Sequence, residues 1–216
     1  MSPIIALGLG ALAGYPARML SRRLIEDRVE SVPASKLFDG PGSLAIWMAA
    51  SALGWGTIVL ALGGASAAQL AYTIAIFEIV LCISAVDALI RKIPNELLIS
   101  LLLVFLASRL AEGGLAGFQN NLFGAGVASV VFLLPSRLGL SIGWGDVKYA
   151  FVAGLCFGLL SFVQIMLVAA AGLGVYAVYL YATKKGNLKS HAAMGPYISL
   201  GVFSAMVYPL LTKLAG

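Results

Sequence analysis

The chain has 216 residues, of which 61% are hydrophobic and only 11% charged. A soluble domain of this size needs more charge to hydrate its surface, and apolar runs of membrane-spanning length recur throughout. The composition therefore predicts an all-α, polytopic helical membrane protein with about eight transmembrane helices. The net charge of +5 falls in the segments between those runs, where membrane topology accounts for it without a nucleic-acid partner.

The first span is expected over about residues 3–19, with Gly10 and Gly14 spaced for close helix contact. It lacks the basic start of a secretory signal, since Arg18, Arg22 and Arg23 follow it, so it reads as a retained span. Residues 17–43 form the longest polar stretch. Arg22/Glu26 and Arg23/Asp27 stand four apart, and Leu20, Leu24 and Ile25 supply an apolar side. This predicts a short cytoplasmic amphipathic segment at 17–43, lying on the membrane surface and ended by Pro33 and Gly40-Pro41-Gly42.

Further spans are expected over about 44–64, 69–90, 95–111 and 122–136. The third ends in Asp87 and the stretch Arg91-Lys92-Ile93-Pro94-Asn95, where Pro94 permits a new helix to begin. After the fifth comes a glycine-rich stretch, 139–145, and Asp146 opens the sixth. Residues 147–182 are almost continuously apolar, and Ser161 to Gln164 is the one place polar enough for a turn between spans six and seven. A basic segment with Lys184, Lys185, Lys189 and His191 follows, and the last span is expected over about 196–212.

Eight spans put both termini on one side. All of the fourteen Lys and Arg residues except Arg109 and Lys213 then fall on the other face, which the positive-inside rule makes cytoplasmic. Asp87 and Asp146 thereby arrive at the same cytoplasmic depth. An ionised Asp at a helix centre costs about 2.5–3.5 kcal/mol even on lenient insertion scales, so two of them at span ends need a reason. One reading of Asp146 is a helix cap suited to the positive end of the helix dipole, with Gly143 and Gly145 letting the backbone turn. The other is an aspartyl protease site. In that chemistry one ionised carboxylate takes a proton from water while a neutral partner hydrogen-bonds the peptide carbonyl. No metal or covalent nucleophile is required. The chain has one histidine, and Cys82 and Cys156 sit in apolar runs as packing residues, which argues against a His/Cys metal centre.

Beyond Asp146, the small residues Ala150, Ala153, Gly154 and Gly158 share one helix face. They suit either ordinary close packing or a groove for a substrate helix. Lys148 either orients charge beside Asp146 or snorkels to the interface, and Trp144 reads as an interface anchor. Glu78, nine positions before Asp87, points to the opposite face of its helix and needs a polar partner elsewhere in the bundle. A proton-coupled transporter or channel is the main rival function. It predicts acids spread through the membrane depth and internal repeats, and no repeat is evident.

Asp87 followed by Ile93-Pro94-Asn95, then Gly143-x-Gly145-Asp146-x-Lys148, then Gly195-Pro196-Tyr197 at the start of the last span, resemble the ordered motifs of the type IV prepilin leader peptidases. These are Gly-x-Gly-Asp intramembrane aspartyl proteases, and the resemblance covers roughly residues 44–212. It implies a single membrane-embedded peptidase domain over 1–216, with Asp87 and Asp146 as the catalytic pair. Gly143, Gly145, Lys148, Pro94, Asn95, Gly195 and Pro196 would be the supporting motif. It implies prepilin or pseudopilin precursors as substrates, cleaved after the basic leader at the cytoplasmic face of a bacterial inner membrane, with the lipid bilayer as surroundings. Larger members also carry a cytoplasmic domain with two Cys-x-x-Cys pairs and methylate the new N-terminus. Here the corresponding loop is short and cysteine-free. Proteolysis therefore needs no cofactor, and S-adenosylmethionine enters only if methyl transfer is retained.

Overall fold

The computed structural model describes residues 1–111, 117–138, 143–183 and 193–215. Among them the chain is all-helical: α1 (Pro3–Glu26), α2 (Ser43–Ala61), α3 (Ala67–Ile90), α4 (Asn95–Ala111), α5 (Phe118–Arg137), α6 (Trp144–Ala182), α7 (Gly195–Val207) and α8 (Leu210–Ala215). The helices α1, α2, α3, α5 and α6 are long and apolar enough to cross a membrane, while α4 and α7 are shorter. Large apolar side chains such as Ile4, Leu12, Leu53, Leu60, Phe123 and Val175 lie outward, as lipid contact requires. The protein is a polytopic helical membrane protein. It divides into two compact units, residues 1–116 with 206–208 and residues 117–205 with 209–216.

In the first unit, α1 and α3 begin on serine caps. Ser2 Oγ accepts the Ile5 N–H at 3.3 Å, and Ser66 Oγ accepts the Gln69 N–H at 3.1 Å. The glycines of α1 do what their spacing predicts. A Cβ on Gly10 would lie 2.8 Å from the Ser51 carbonyl oxygen, and one on Gly14 would lie 2.6 Å from that of Trp47, so α1 and α2 pack backbone to backbone. A Cβ on Gly54 of α2 would overlap the Phe77 ring of α3.

The amphipathic segment expected at 17–43 is corrected. The first helix runs on to Glu26 with Pro16 inside it, and the Arg22–Glu26 pair, at 2.8 Å, lies within its last turns. Leu24 and Ile25 are buried in the protein instead of facing lipid headgroups. The remaining connection has no helix and is pinned through Phe38, which is fully buried with its ring centroid 5.7 Å from that of Trp47. The Trp47 indole donates to the Leu37 carbonyl at 2.8 Å, and the Arg18 guanidinium donates to the Phe38 carbonyl.

In the second unit, the turn expected at Ser161 to Gln164 is also corrected. Those residues are helical, and the break in α6 falls at Gly158, with φ 76 and ψ 178. Only glycine adopts that backbone without strain. Contacts with α7 give the consequence. Gly172 lies against Tyr197, Ile165 against Gly201, and Gln164 against Ser204, so residues 159–182 run antiparallel to α7. A straight α6 would carry Tyr149, about 24 Å further along, past the C-terminal end of α7. Instead the Tyr149 hydroxyl meets Ser199 Oγ at 3.0 Å. The chain doubles back at Gly158, so α6 contains the sixth and seventh spans as a hairpin.

Two asparagines at the start of α5 satisfy the backbone that the break exposes. Asn121 Nδ2 donates to the Leu155 carbonyl at 2.8 Å and the Cys156 carbonyl at 3.3 Å, and Asn120 Oδ1 accepts the Leu159 N–H at 3.3 Å. The last expected span is interrupted at Tyr208-Pro209, between α7 and α8.

Candidate functional site

The first candidate acid, Asp87, lies in the last turn of α3 and is buried, with a relative exposure of 4%. The helix stops at Arg91, which takes the left-handed conformation (φ 52, ψ 39) and returns its N–H to the Asp87 carbonyl at 2.9 Å. Five residues after Ile90, the first helical residue of α4 is Asn95, preceded by a fully buried Pro94. Proline supplies a pre-set φ and has no N–H to leave unmatched at a helix start.

The connection after α1 braces this corner. Arg28 pairs with Glu96 at 2.5 Å and also donates to the Leu24 carbonyl at 2.8 Å, while Lys92 Nζ reaches the Arg28 carbonyl at 3.3 Å. Thus Asp87, Pro94 and Asn95 are brought together by one tight α3–α4 corner. Asp87 is buried while Asn95 is exposed.

The second candidate acid, Asp146, is the third residue of α6, in its first turn, and is half-buried. Its carboxylate folds back toward the N-terminal cap, Gly143. A Cβ on Gly143 would lie 3.0 Å from Asp146 Oδ2. The Gly143 backbone, at φ −65 and ψ 136, is open to any residue. The glycine therefore leaves space beside the carboxylate, and no sharp turn calls for it, which revises the expectation from sequence. Gly145 is helical, Lys148 is exposed and Trp144 is 58% exposed. A carboxylate in the first turn also gains from the positive end of the helix dipole.

Within the same unit the third motif is close in structure. Tyr149, three residues beyond Asp146 and fully buried, bonds Ser199, four residues beyond Gly195. Gly195 is buried, and Pro196 occupies the first turn of α7, where Met194 O accepts the Tyr197 and Ile198 amides at 3.1 Å. The Tyr149–Ser199 bond was not anticipated. The signal available was a tyrosine and a serine, each one turn inside its motif helix.

The small-residue face of α6 resolves toward packing. A Cβ on Gly154 or Gly158 would run into α5, at Gly124 for the first and Asn120 for the second, while Ala150 and Ala153 are fully buried. The groove for a substrate helix is corrected accordingly, because the protein's own α5 fills the Gly154–Gly158 end of it. His191 and the lysines at 184, 185 and 189 lie outside the described residues, as do residues 139–142 of the glycine-rich stretch.

Comparison with known families gives one match, and no curated protein and no solved structure matches the chain. The model of the type IV leader peptidase family matches residues 72–179, half of the chain. That segment holds Asp87, Pro94, Asn95, Gly143, Gly145, Asp146 and Lys148, and stops short of Gly195 and Pro196. With its all-helical membrane fold and a match of this extent, the chain belongs to the type IV leader peptidase family and is a membrane peptidase of that kind.

Proposed function

We propose that the peptidase is an aspartic endopeptidase that removes the basic leader from type IV prepilin or pseudopilin precursors. Asp87 and Asp146 share one proton and bind one water between them. The ionised carboxylate takes a proton from the water, whose oxygen attacks the carbonyl carbon of the scissile peptide. The protonated carboxyl donates to the carbonyl oxygen, and collapse of the tetrahedral intermediate breaks the C–N bond as the leaving amine takes up a proton. The observation that carries this reading is the setting of the two acids. Each stands in a terminal turn of its helix, Asp87 at the end of α3 and Asp146 at the start of α6, inside the segment matched by the family.

The supporting residues take physical roles. Gly143 leaves room for the Asp146 carboxylate, and Pro94 with Asn95 fixes the chain just past Asp87. Gly145 lies in the first turn of α6 next to Asp146, and Lys148 is an exposed cation two residues further on. Gly195 and Pro196 start α7 so that Ser199 meets Tyr149. The distribution of basic residues supports a site on the cytoplasmic side of a bacterial inner membrane, with lipid on all outward faces. Proteolysis on this reading uses no cofactor, and S-adenosylmethionine is a co-substrate only if methyl transfer is retained.

The test is to incubate the purified protein with a pseudopilin precursor, with and without S-adenosylmethionine, and to weigh the products. Two fragments cut after the leader, of unchanged mass with and without the methyl donor, are expected. An intact precursor, or cleavage that persists with asparagine at both positions 87 and 146, contradicts the proposal.

A further inference from the structure

The middle of α3 holds a carboxylate that the proposed reaction does not use. Glu78 Oε1 accepts the Trp55 indole N–H at 2.7 Å, and Oε2 accepts from Ser51 Oγ at 3.3 Å, both from α2. No Lys or Arg among the described residues forms an ion pair with it. Two donated hydrogen bonds hold the carboxylate in place but leave other lone pairs on both oxygens. A carboxylate midway along a membrane helix is expensive unless a positive group accompanies it.

Glu78 also lines a cavity of about 530 Å³ together with Trp55 and the N-terminal Met1, and alanines, Leu70 and Ile74 make up the rest of its wall. Ala67, Ala71 and Ala75 recur along the same face of α3, so the cavity follows the helix from its first turn to Glu78. Eleven residues of helix give it a reach of about 16 Å. The volume falls within the range of small-molecule sites, and an apolar cleft with one fixed polar group is the usual form of such a site.

We propose that this cavity binds a cationic amphiphile, a single ammonium group on a hydrocarbon chain. The ammonium donates to the free lone pairs of Glu78, and the chain lies along the alanine face of α3. Trp55 and Ser51 position the carboxylate, and the alanines leave the width that a chain needs. An anionic or hydroxyl head lacks the charge that offsets the buried carboxylate.

The experiment is native mass spectrometry of the full chain released from nonionic micelles, titrated with dodecylamine and, in parallel, with dodecanol. A saturable one-to-one amine adduct is expected, with the alcohol at least about tenfold weaker. Glu78→Gln should weaken the amine about tenfold or more and leave the alcohol unchanged, its fold being checked by thermal unfolding. Ala71→Phe, which fills the cleft and leaves the hydrogen bonds to Glu78 in place, should remove the adduct. Equal binding of amine and alcohol to the wild type overturns the proposal, as does a wild-type amine adduct on either folded variant.

Discussion

A carboxylate in the middle of a membrane helix and carboxylates at helix ends face different problems, and this protein has both. Glu78 has helix on either side, so its polar partners must come from a neighbour, and α2 supplies Trp55 and Ser51. Asp87 and Asp146 stand where helices stop, beside backbone that has left the helical ladder and beside residues chosen for small size or fixed φ. Position along the helix thus separates an acid flanked by helix on both sides from acids at helix ends, of which Asp87 is buried and Asp146 half-buried.

Among changes that leave all three acids in place, the first to sharpen this contrast is at Gly143. A valine there presses on Asp146 Oδ2, and the few tenths of an ångström by which the carboxylate must give should cost about tenfold in rate. Initial cleavage rates should fall to that extent while thermal unfolding stays near wild type. Loss of stability in place of rate would show that Gly143 serves the fold. Next is Gly54→Val, which drives a side chain into the Phe77 ring and separates α2 from α3. Overpacking of this kind costs about 1–3 kcal/mol, read as a lowered unfolding midpoint in denaturant.

Trp55→Phe keeps the bulk and removes the stronger donor to Glu78. The loss expected is about 1–2 kcal/mol, smaller than in water-soluble cores because membrane hydrogen bonds find substitutes. Ser51→Ala removes the longer bond and should cost about 0.6 kcal/mol by the same measurement. An equal or larger loss from Ser51→Ala would reverse the ranking of the two donors.

Sequence made the membrane class, the α3–α4 corner and the Gly10–Gly14 contact legible, because hydropathy, proline and glycine spacing are local signals. It also placed Glu78 opposite Asp87 and required a polar partner for it, which α2 provides. The division of α6 was legible only in part. Two spans were expected within 147–182, but polarity pointed to Ser161–Gln164, whereas the chain breaks at Gly158. The reason is that in lipid a break forms where backbone groups find donors and acceptors. Those come from Asn120 and Asn121, distant in sequence. The Tyr149–Ser199 bond was hidden for the same reason, since it joins residues fifty apart. The surface helix at 17–43 failed because charge pairs at helical spacing do not say whether the apolar side meets lipid or protein.

The central claim is that both helix-end acids carry the peptidase reaction. The direct measurement is single-turnover cleavage of one pseudopilin precursor by Asp87→Asn and Asp146→Asn, each against wild type and against Glu26→Gln, an exposed change on α1. The account predicts that each Asp variant loses at least about a thousandfold in rate while remaining folded, since each removes a proton-transfer group, and that Glu26→Gln stays at wild-type rate. A folded variant at either position that cleaves as fast as wild type would contradict it.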